Sequence, residues 1–277
     1  MSEAICPACF RHCRIREGQA GFCRARGNTG GRIVCLNYGK VTSLALDPIE
    51  KKPLARFYPG SMILSVGSFG CNMACPFCQN DAISFADEDT VKWRYLPPEE
   101  LAAMARQLQP RGNIGVAYTY NEPMVGFEYV HDTARLVRDL GMKNVVVTNG
   151  AFTEDTLNEV LPYIDAFNID LKGFTQAWYR ELGGDLETVK RFIIRAAQRA
   201  HVELTTLIVP GKNDGDEEMR DLSRWIASSL SRGVPLHITR FFPRREYVDK
   251  SPTDIALLRR LAAVAGESLE TVVVGNV

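Results

Sequence analysis

The sequence has no apolar run of the ~18 residues that a membrane-spanning helix needs. It also has no excess charge of either sign, because its 277 residues include 33 Lys and Arg against 33 Asp and Glu. This balance argues against the polybasic arms that bind nucleic acid. The first residues, MSEAICPACFRHC, contain no apolar signal segment. We therefore expect a cytoplasmic protein that has neither a membrane nor nucleic acid among its partners.

Cysteine is absent from the last two thirds of the chain, since all eight cysteines lie at or before Cys78. Seven of them fall in two clusters, and Cys35 stands alone. In a reducing compartment, clustered cysteines hold metal more often than they form disulfides. An isolated cysteine is typical of a small apolar core residue. The two clusters therefore indicate two metal sites in the first third of the chain.

The N-terminal cluster supplies four thiols within 18 residues. Four is the ligand count of a closed tetrahedral zinc site, and also that of an iron–sulfur cluster. A site with four protein ligands has no open position, so its role would be structural or electron-relaying. The spacing leaves zinc, a second iron–sulfur cluster and free thiols as alternatives for the cysteines of this cluster, which are Cys6, Cys9, Cys13 and Cys23.

Two regions follow from the residue patterns. Residues 1–50 are rich in Cys, Gly and Arg and predict a small metal-stapled lobe. Residues 51–277 alternate short β-branched runs with amphipathic segments six or seven times, which predicts parallel βαβ units. A doubly wound sheet and a barrel both satisfy this pattern. The expected strands are 61–66, 114–120, 143–149, 166–171, 202–209, LHITRF and ETVVVG.

Polar motifs stand where these strands end. In parallel sheets the carboxyl ends of the strands and the loops after them carry the functional residues. Each motif alone is also compatible with a surface turn, but their joint placement predicts one shared site mouth. The motifs are TYNEP (119–123), TNG (148–150), DLK (170–172), VPGKND (209–214) and HITRF.

The loop GCNMACPFCQN (70–80) holds the second cysteine cluster, with Cys71, Cys75 and Cys78. Three thiolates leave one iron of a four-iron cluster open for a small molecule. A zinc site would need a fourth ligand, such as His131, His201, His237 or an N-terminal cysteine. The spacing favours iron–sulfur, with Phe77 shielding the cluster from water.

CNMACPFC resembles the CxxxCxxC loop of the radical S-adenosylmethionine enzymes. The resemblance implies an incomplete (β/α)6-type barrel and a [4Fe–4S] cluster on Cys71, Cys75 and Cys78. It also implies that S-adenosylmethionine binds the fourth iron. Reduction then yields methionine and a 5′-deoxyadenosyl radical, which takes a hydrogen atom from the substrate.

The later motifs resemble those of the pyruvate formate-lyase-activating enzymes. YNEP matches the Gly-Gly-Glu-Pro segment of that family, with Tyr120 and Asn121 in place of the two glycines. The resemblance places cofactor contacts at the strand ends and assigns no catalytic side chain. The implied cofactor-binding residues are Phe77, Asn121, Glu122, Thr148, Asn149, Asp170, Lys172, Val209 and His237.

A longer set of motifs, including DPIEKKPL, SVGSFGCNMACPFCQN, AYTYNEP, NIDLKGF and HITRFFP, is similar to the radical enzymes of the AmmeMemoRadiSam system. That resemblance implies AMMECR-type and Memo-type proteins as partners, and a ferredoxin or flavodoxin as electron donor. A protein substrate is favoured, by resemblance to the glycyl-radical activases, with a small metabolite as the alternative. DPIEKKPL and RFFPRREY are expected either to face the substrate or to be solvated loops.

An alternative hypothesis, from a different class of protein, is a zinc-binding scaffold protein without turnover. It rests on CxxC pairs being common in zinc proteins, but it does not explain why polar motifs follow successive strands.

Overall fold

The computed structural model describes residues 2–277, which form fourteen strands and eight α-helices. The strands are β1 (Glu3–Ile5), β2 (Arg14–Arg16), β3 (Arg26–Thr29), β4 (Arg32–Cys35), β5 (Lys40–Val41), β6 (Ser43–Pro48), β7 (Met62–Gly67), β8 (Arg94–Tyr95), β9 (Asn113–Tyr118), β10 (Lys143–Thr148), β11 (Ala166–Asp170), β12 (His201–Ile208), β13 (Leu236–Arg240) and β14 (Val272–Gly275).

The helices are α1 (Asp81–Ser84), α2 (Pro98–Gln107), α3 (Phe127–Asp139), α4 (Glu154–Val160), α5 (Gln176–Glu181), α6 (Leu186–Ala197), α7 (Asp216–Ser229) and α8 (Ile255–Gly266). Side chains cap the amino ends of several of these helices. Thr153 accepts from the amide of Thr156 at the start of α4, and Asp185 accepts from the amide of Thr188 at the start of α6. No helix within residues 2–277 combines the length and apolar character required to cross a membrane.

Eight strands form the main sheet, in the order β14-β13-β12-β11-β10-β9-β7-β6. Neighbours from β7 to β14 are parallel, and β6 lies antiparallel to β7, pairing Ser43 with Gly67 and Pro48 with Met62. The expected alternation of strands and helices is thereby confirmed. Because β6 starts at Ser43, the sheet begins within residues 1–50, the range predicted for the lobe.

The two faces of the sheet are covered differently. The larger core joins inward residues of the α-helices to one face, for example Val130 on α3 against Val116 on β9. On the opposite face, Leu54 packs with Ile63, Val145 and other strand residues. Leu54 belongs to the segment 49–57, which begins with a short 3-10 helix. The helices thus leave one face of the sheet to this segment and to the cavity described below.

The N-terminal lobe contains the two-stranded sheets β1–β2 and β3–β4. A half-buried ion pair fastens it to α3, since the buried Arg26 guanidinium donates to both Glu128 carboxylate oxygens at 2.9 and 2.7 Å. Arg26 also donates to the carbonyl of Val125. The lobe therefore packs on the helical layer and extends to the loops at the strand ends.

Candidate active site

A cavity of about 590 Å³ lies at the carboxyl ends of the parallel strands. The motifs that follow different strands in the sequence meet here, because parallel strands end at one edge of the sheet. Ten of the residues predicted for the cofactor site line this cavity: Cys71, Cys75, Phe77, Cys78, Asn121, Glu122, Thr148, Asn149, Asp170 and Lys172.

The cysteine loop follows β7 in a tight path. Gly70 has a φ of +90°, and a Cβ at this position would lie 2.4 Å from the carbonyl oxygen of Cys23. The amide of Cys78 donates to the carbonyl of Cys75 and closes a turn. Burial raises the pKa of the Cys71 thiol, and it raises that of Cys75 to about 11. Three thiols of one loop on one cavity wall suit a metal–sulfur group, because metal binding replaces the thiol protons.

Within residues 2–277, no three His, Cys, Asp or Glu side chains are already gathered as a metal-ion site. Thiolates on one cubane bind separate irons, so they do not converge on a single ion. The individual ligand assignments therefore stay predictions.

Glu122 joins the ends of two neighbouring strands. Its buried carboxylate accepts from the Thr148 hydroxyl at 2.7 Å, from the Asn149 amide at 2.7 Å and from the Met124 amide at 3.1 Å. Burial raises the pKa of this carboxyl to about 7, although the hydrogen bonds act in the opposite direction. The carboxylate thus fixes the loop after β10 against the loop after β9.

The side chain of Asn149 continues this network to the cysteine loop. Its amide nitrogen lies 2.8 Å from the Asn72 amide oxygen and 3.7 Å from the Cys71 sulfur. Asn72 is fully buried and donates to the carbonyl of Ala151 at 2.9 Å. The cysteine loop and the loop after β10 are therefore connected by side-chain amides.

Asp170 and Lys172 form an ion pair of 2.8 Å at the cavity wall. Burial lowers the pKa of Lys172, but Asp170 and Cys75 outweigh it and raise the pKa overall. The Lys172 carbonyl accepts from Trp178 at 2.8 Å and from Asn213 at 2.9 Å. The backbone is thus held firmly while the ammonium faces the cavity, so the site has a cation suited to a carboxylate ligand.

Tyr120 and Asn121 stand where the resembled family has glycines. Tyr120 keeps a left-handed backbone with a φ of +72°, and its hydroxyl donates to Asp47 at 2.7 Å. The amide of Asn121 donates to the carbonyls of Phe69 and Gly70 at 3.0 and 3.1 Å. Asn121 therefore holds the start of the cysteine loop.

Phe77 packs between aromatic residues beside the cysteines. Its ring centroid lies 5.9 Å from that of Trp178, in a stacked arrangement, and 6.3 Å from that of Phe241. The segment RFFPRREY contributes Phe241 and Tyr247 to this layer, and its Arg245 donates to the carbonyl of Cys75 at 2.8 Å. This segment does not line the cavity, whereas Glu50, Lys51 and Pro53 of DPIEKKPL do.

Two residues of the predicted cofactor set lie away from this cavity. Val209 is fully buried in the turn after β12, where its amide donates to Asn213. His237 lies near the start of β13 and contacts the buried Glu203 carboxylate at 2.6 Å. Motif position alone does not reveal that His237 lies three residues before the end of β13 and has a buried partner there.

The sequence reasoning missed several cavity residues. Asn80 donates to the carbonyl of Tyr120 at 2.7 Å, and its place just after the cysteine motif was the available signal. Of the other cavity residues, Thr239 stands inside the motif HITRF. Thr205, Leu207 and Asn276 lie outside the motifs and carry no such signal.

Comparison with known proteins matches residues 65–226 to the Radical SAM superfamily. An uncharacterized protein of Methanocaldococcus jannaschii is 40% identical over 278 residues, covering 100% of this chain and 82% of the relative. The 4-hydroxyphenylacetate decarboxylase activating enzyme of Clostridioides difficile is 22% identical over 83% of this chain and 74% of its own length.

Among solved structures, Streptococcus suis SuiB bound to S-adenosylmethionine has a similar fold. The TM-score is 0.59 at 15% identity, over 74% of this chain and 48% of that one.

Proposed function

The chain belongs to the radical SAM superfamily, and from that membership we propose that its strand-end cavity holds S-adenosylmethionine against the cysteine loop and admits a segment of a protein substrate. The observation that carries the proposal is that the three thiols, the Glu122 network and the Asp170–Lys172 pair line one cavity. The protein is an enzyme of a family that uses a [4Fe–4S] cluster and S-adenosylmethionine.

When bound, the cluster supplies the electron that splits S-adenosylmethionine into methionine and a 5′-deoxyadenosyl radical. The residues of this chain bind and orient. Cys71, Cys75 and Cys78 are the proposed cluster ligands. Lys172 pairs with the methionine carboxylate, and Glu122 with Thr148 and Asn149 presents oxygen acceptors near the ammonium. Phe77 and its aromatic neighbours exclude water.

We propose that the one-sided helical covering of the sheet is that of an incomplete (β/α)6-type barrel. Segment 49–57 packs on the face without helices, in the same core as Ile63 and Val145. This leaves the cavity with a floor of protein and a mouth at the strand ends. The AmmeMemoRadiSam assignment, with AMMECR-type and Memo-type partners and a ferredoxin or flavodoxin donor, is a proposal supported by the motif set.

The chemistry is tested by anaerobic reduction of the protein with its cluster reconstituted. The wild type and the matched control Cys35→Ala should release 5′-deoxyadenosine and methionine. Cys71→Ala, Cys75→Ala and Cys78→Ala should each lose the oxygen-labile iron and sulfide together with this release. Labile iron and sulfide at the wild-type level in any of the three would refute the ligand assignment.

The substrate class is tested with material from cells grown in deuterated water. The extract is separated into a protein fraction and a small-molecule fraction, and each is incubated with the enzyme in ordinary water. A protein substrate predicts that 5′-deoxyadenosine gains one mass unit with the protein fraction alone. Deuterium transfer from the small-molecule fraction alone would favour the metabolite alternative, and the protein-substrate proposal would be wrong.

A further inference from the structure

The four N-terminal cysteines surround a second, much smaller cavity. Cys6, Cys9, Cys13 and Cys23 all line it, and it shares no lining residue with the strand-end cavity. Three of the four are buried, and Cys13 is half-buried. We propose that this cavity is a closed zinc site with four thiolate ligands, and that the bound zinc holds the cysteine loop and the loop after β10 in place.

The size of the cavity favours one metal ion. Its volume of about 10 Å³ is roughly that of a single water-sized sphere. A cubane of four irons and four sulfides needs far more room than one ion. Among the described residues 2–277 the thiols line the wall without converging, so coordination of one zinc requires them to move inward.

Backbone hydrogen bonds hold the segment that carries three of the four thiols. The amide of Cys6 donates to the carbonyl of Cys13 at 2.9 Å, and the amide of His12 donates to the carbonyl of Cys9 at 3.2 Å. The thiols of Cys6, Cys9 and Cys13 therefore stand on a fixed turn.

The charge around the cavity suits a tetrathiolate. A Zn²⁺ ion with four thiolates carries two excess negative charges. Arg11 and Arg26 both line the cavity. The Arg26 side chain is buried, and although its terminal nitrogens bond to Glu128, its Nε has no hydrogen-bond partner. A buried N–H without an acceptor is costly, and an anionic metal–thiolate group beside it offsets that cost.

Arg11 connects this cavity to the cysteine loop. Its Nε donates to the Asn72 carbonyl at 2.7 Å, and its Nη2 donates to the Gly183 carbonyl at 2.5 Å. Asn72 lines the small cavity, and its side chain bonds to Asn149. Arg11 and Asn72 are thus positioning residues between the zinc site and the loop of Cys71.

A second connection reaches the loop after β10. Cys9 and Phe152 form an isolated antiparallel bridge, and the Thr153 amide donates to the Ala8 carbonyl at 3.2 Å. Zinc on Cys9 would therefore fix the chain that follows Asn149. The functional importance of these two loops rests on the proposed function, whereas the zinc site itself does not.

The metal is identified by analysis of the full chain after anaerobic purification with zinc and iron supplied. The wild type and the matched control Cys35→Ser should hold one zinc per chain, and Cys23→Ser should lose it while keeping the labile iron and sulfide of the Cys71 loop. Unchanged zinc in Cys23→Ser would overturn the site. Loss of iron and sulfide in place of zinc would show a second cluster and also overturn it.

Cobalt substitution tests the same site in the wild-type chain, so the result does not depend on whether a cysteine variant folds. Co²⁺ exchanged into the wild-type chain should give the intense sulfur-to-metal charge-transfer absorption and the tetrahedral visible bands of a tetrathiolate. Absence of these bands at stoichiometric cobalt would refute four-thiolate coordination. Neither measurement requires S-adenosylmethionine, so both can be interpreted even if the proposed function is wrong.

The positioning role is tested by hydrogen exchange. Zinc removal from the chain should increase amide exchange in residues 70–75 and 149–153, with β12 unchanged. Arg11→Gln should raise exchange in residues 70–75 while zinc is retained, and the exposed matched control Arg14→Gln should not. Exchange that is unaffected by zinc removal and by Arg11→Gln would limit the site to a local role in the lobe and overturn the coupling.

Discussion

Single residues of the site were predictable where they follow a strand. Glu122, Thr148 and Asp170 line the cavity because each stands at or just after the carboxyl end of a parallel strand. His237 lies near the amino end of β13 and faces Glu203. Residues on the same face of a strand lie at different heights along it, and a sequence motif does not show which of them reach the cavity.

The Lys172 ammonium gives the first prediction at this scale. Lys172→Ala should weaken S-adenosylmethionine binding by about ten- to a hundredfold, because a buried charge-assisted hydrogen bond contributes roughly 1.5–3 kcal/mol. Binding is measured by calorimetry at full cluster occupancy. The matched control is Lys143→Ala, since Lys143 pairs with Asp165 at 3.0 Å at the opposite end of the sheet. Equal affinity for S-adenosylmethionine in both variants would show that Lys172 does not belong to the cofactor site.

Glu203 gives a prediction about acid stability. Burial raises its pKa, but hydrogen bonds from His201, His237 and the amides of Ala55 and Arg56 outweigh burial and lower it to about 2. A lowered carboxyl pKa stabilises the fold above the ordinary value of 4.5, and that stabilisation is lost as the pH falls toward about 2.

Glu203→Gln should therefore lower the free energy of unfolding at pH 7 by about 3 kcal/mol. The difference from the wild type should shrink between pH 4.5 and 2. Urea unfolding across this range measures both, with the exposed Glu100→Gln as the control. A constant difference at every pH would show that Glu203 acts by packing and not by its charge.

Elements of secondary structure were predictable where the hydrophobic pattern along the sequence was strong. The runs of β-branched residues at 143–149 and 202–209 became β10 and β12. The antiparallel β6 was missed, because SLALDP is short and follows a Cys- and Gly-rich region. Pairing with β7 comes from the tertiary fold, and local pattern alone does not contain it.

The segment 49–57 gives the prediction at the scale of elements. Leu54 is fully buried against the sheet face that no α-helix covers. Leu54→Ala should lower the free energy of unfolding by about 2–5 kcal/mol, the range for a leucine removed from a core. The control is Leu140→Ala after α3, because Leu140 is 36% exposed. Similarly small losses of unfolding free energy in both variants would mean that the segment 49–57 packs only loosely on the sheet.

At the scale of the whole molecule, the lobe and the sheet are joined by more contacts than the cysteine pattern indicates. The cysteine pattern predicts two metal sites and gives no information on contacts between the lobe and the sheet. The Arg26–Glu128 ion pair, the Arg11 bonds and the Cys9–Phe152 bridge tie the lobe to α3 and to the loops at the strand ends. Contacts between residues more than a hundred positions apart leave no local signal.

We predict that the lobe and the sheet unfold in one cooperative transition. Ala151 and Phe152 are buried, and the lobe contacts this loop through Cys9 and Ala8, so opening the lobe alone would expose apolar core to water. Hydrogen exchange at increasing urea concentration measures this. Peptides from β3 and β4 should lose protection at the same urea concentration as peptides from β10. Earlier loss in β3 and β4 would show that the lobe opens by itself and that its contacts with the site loops are weak.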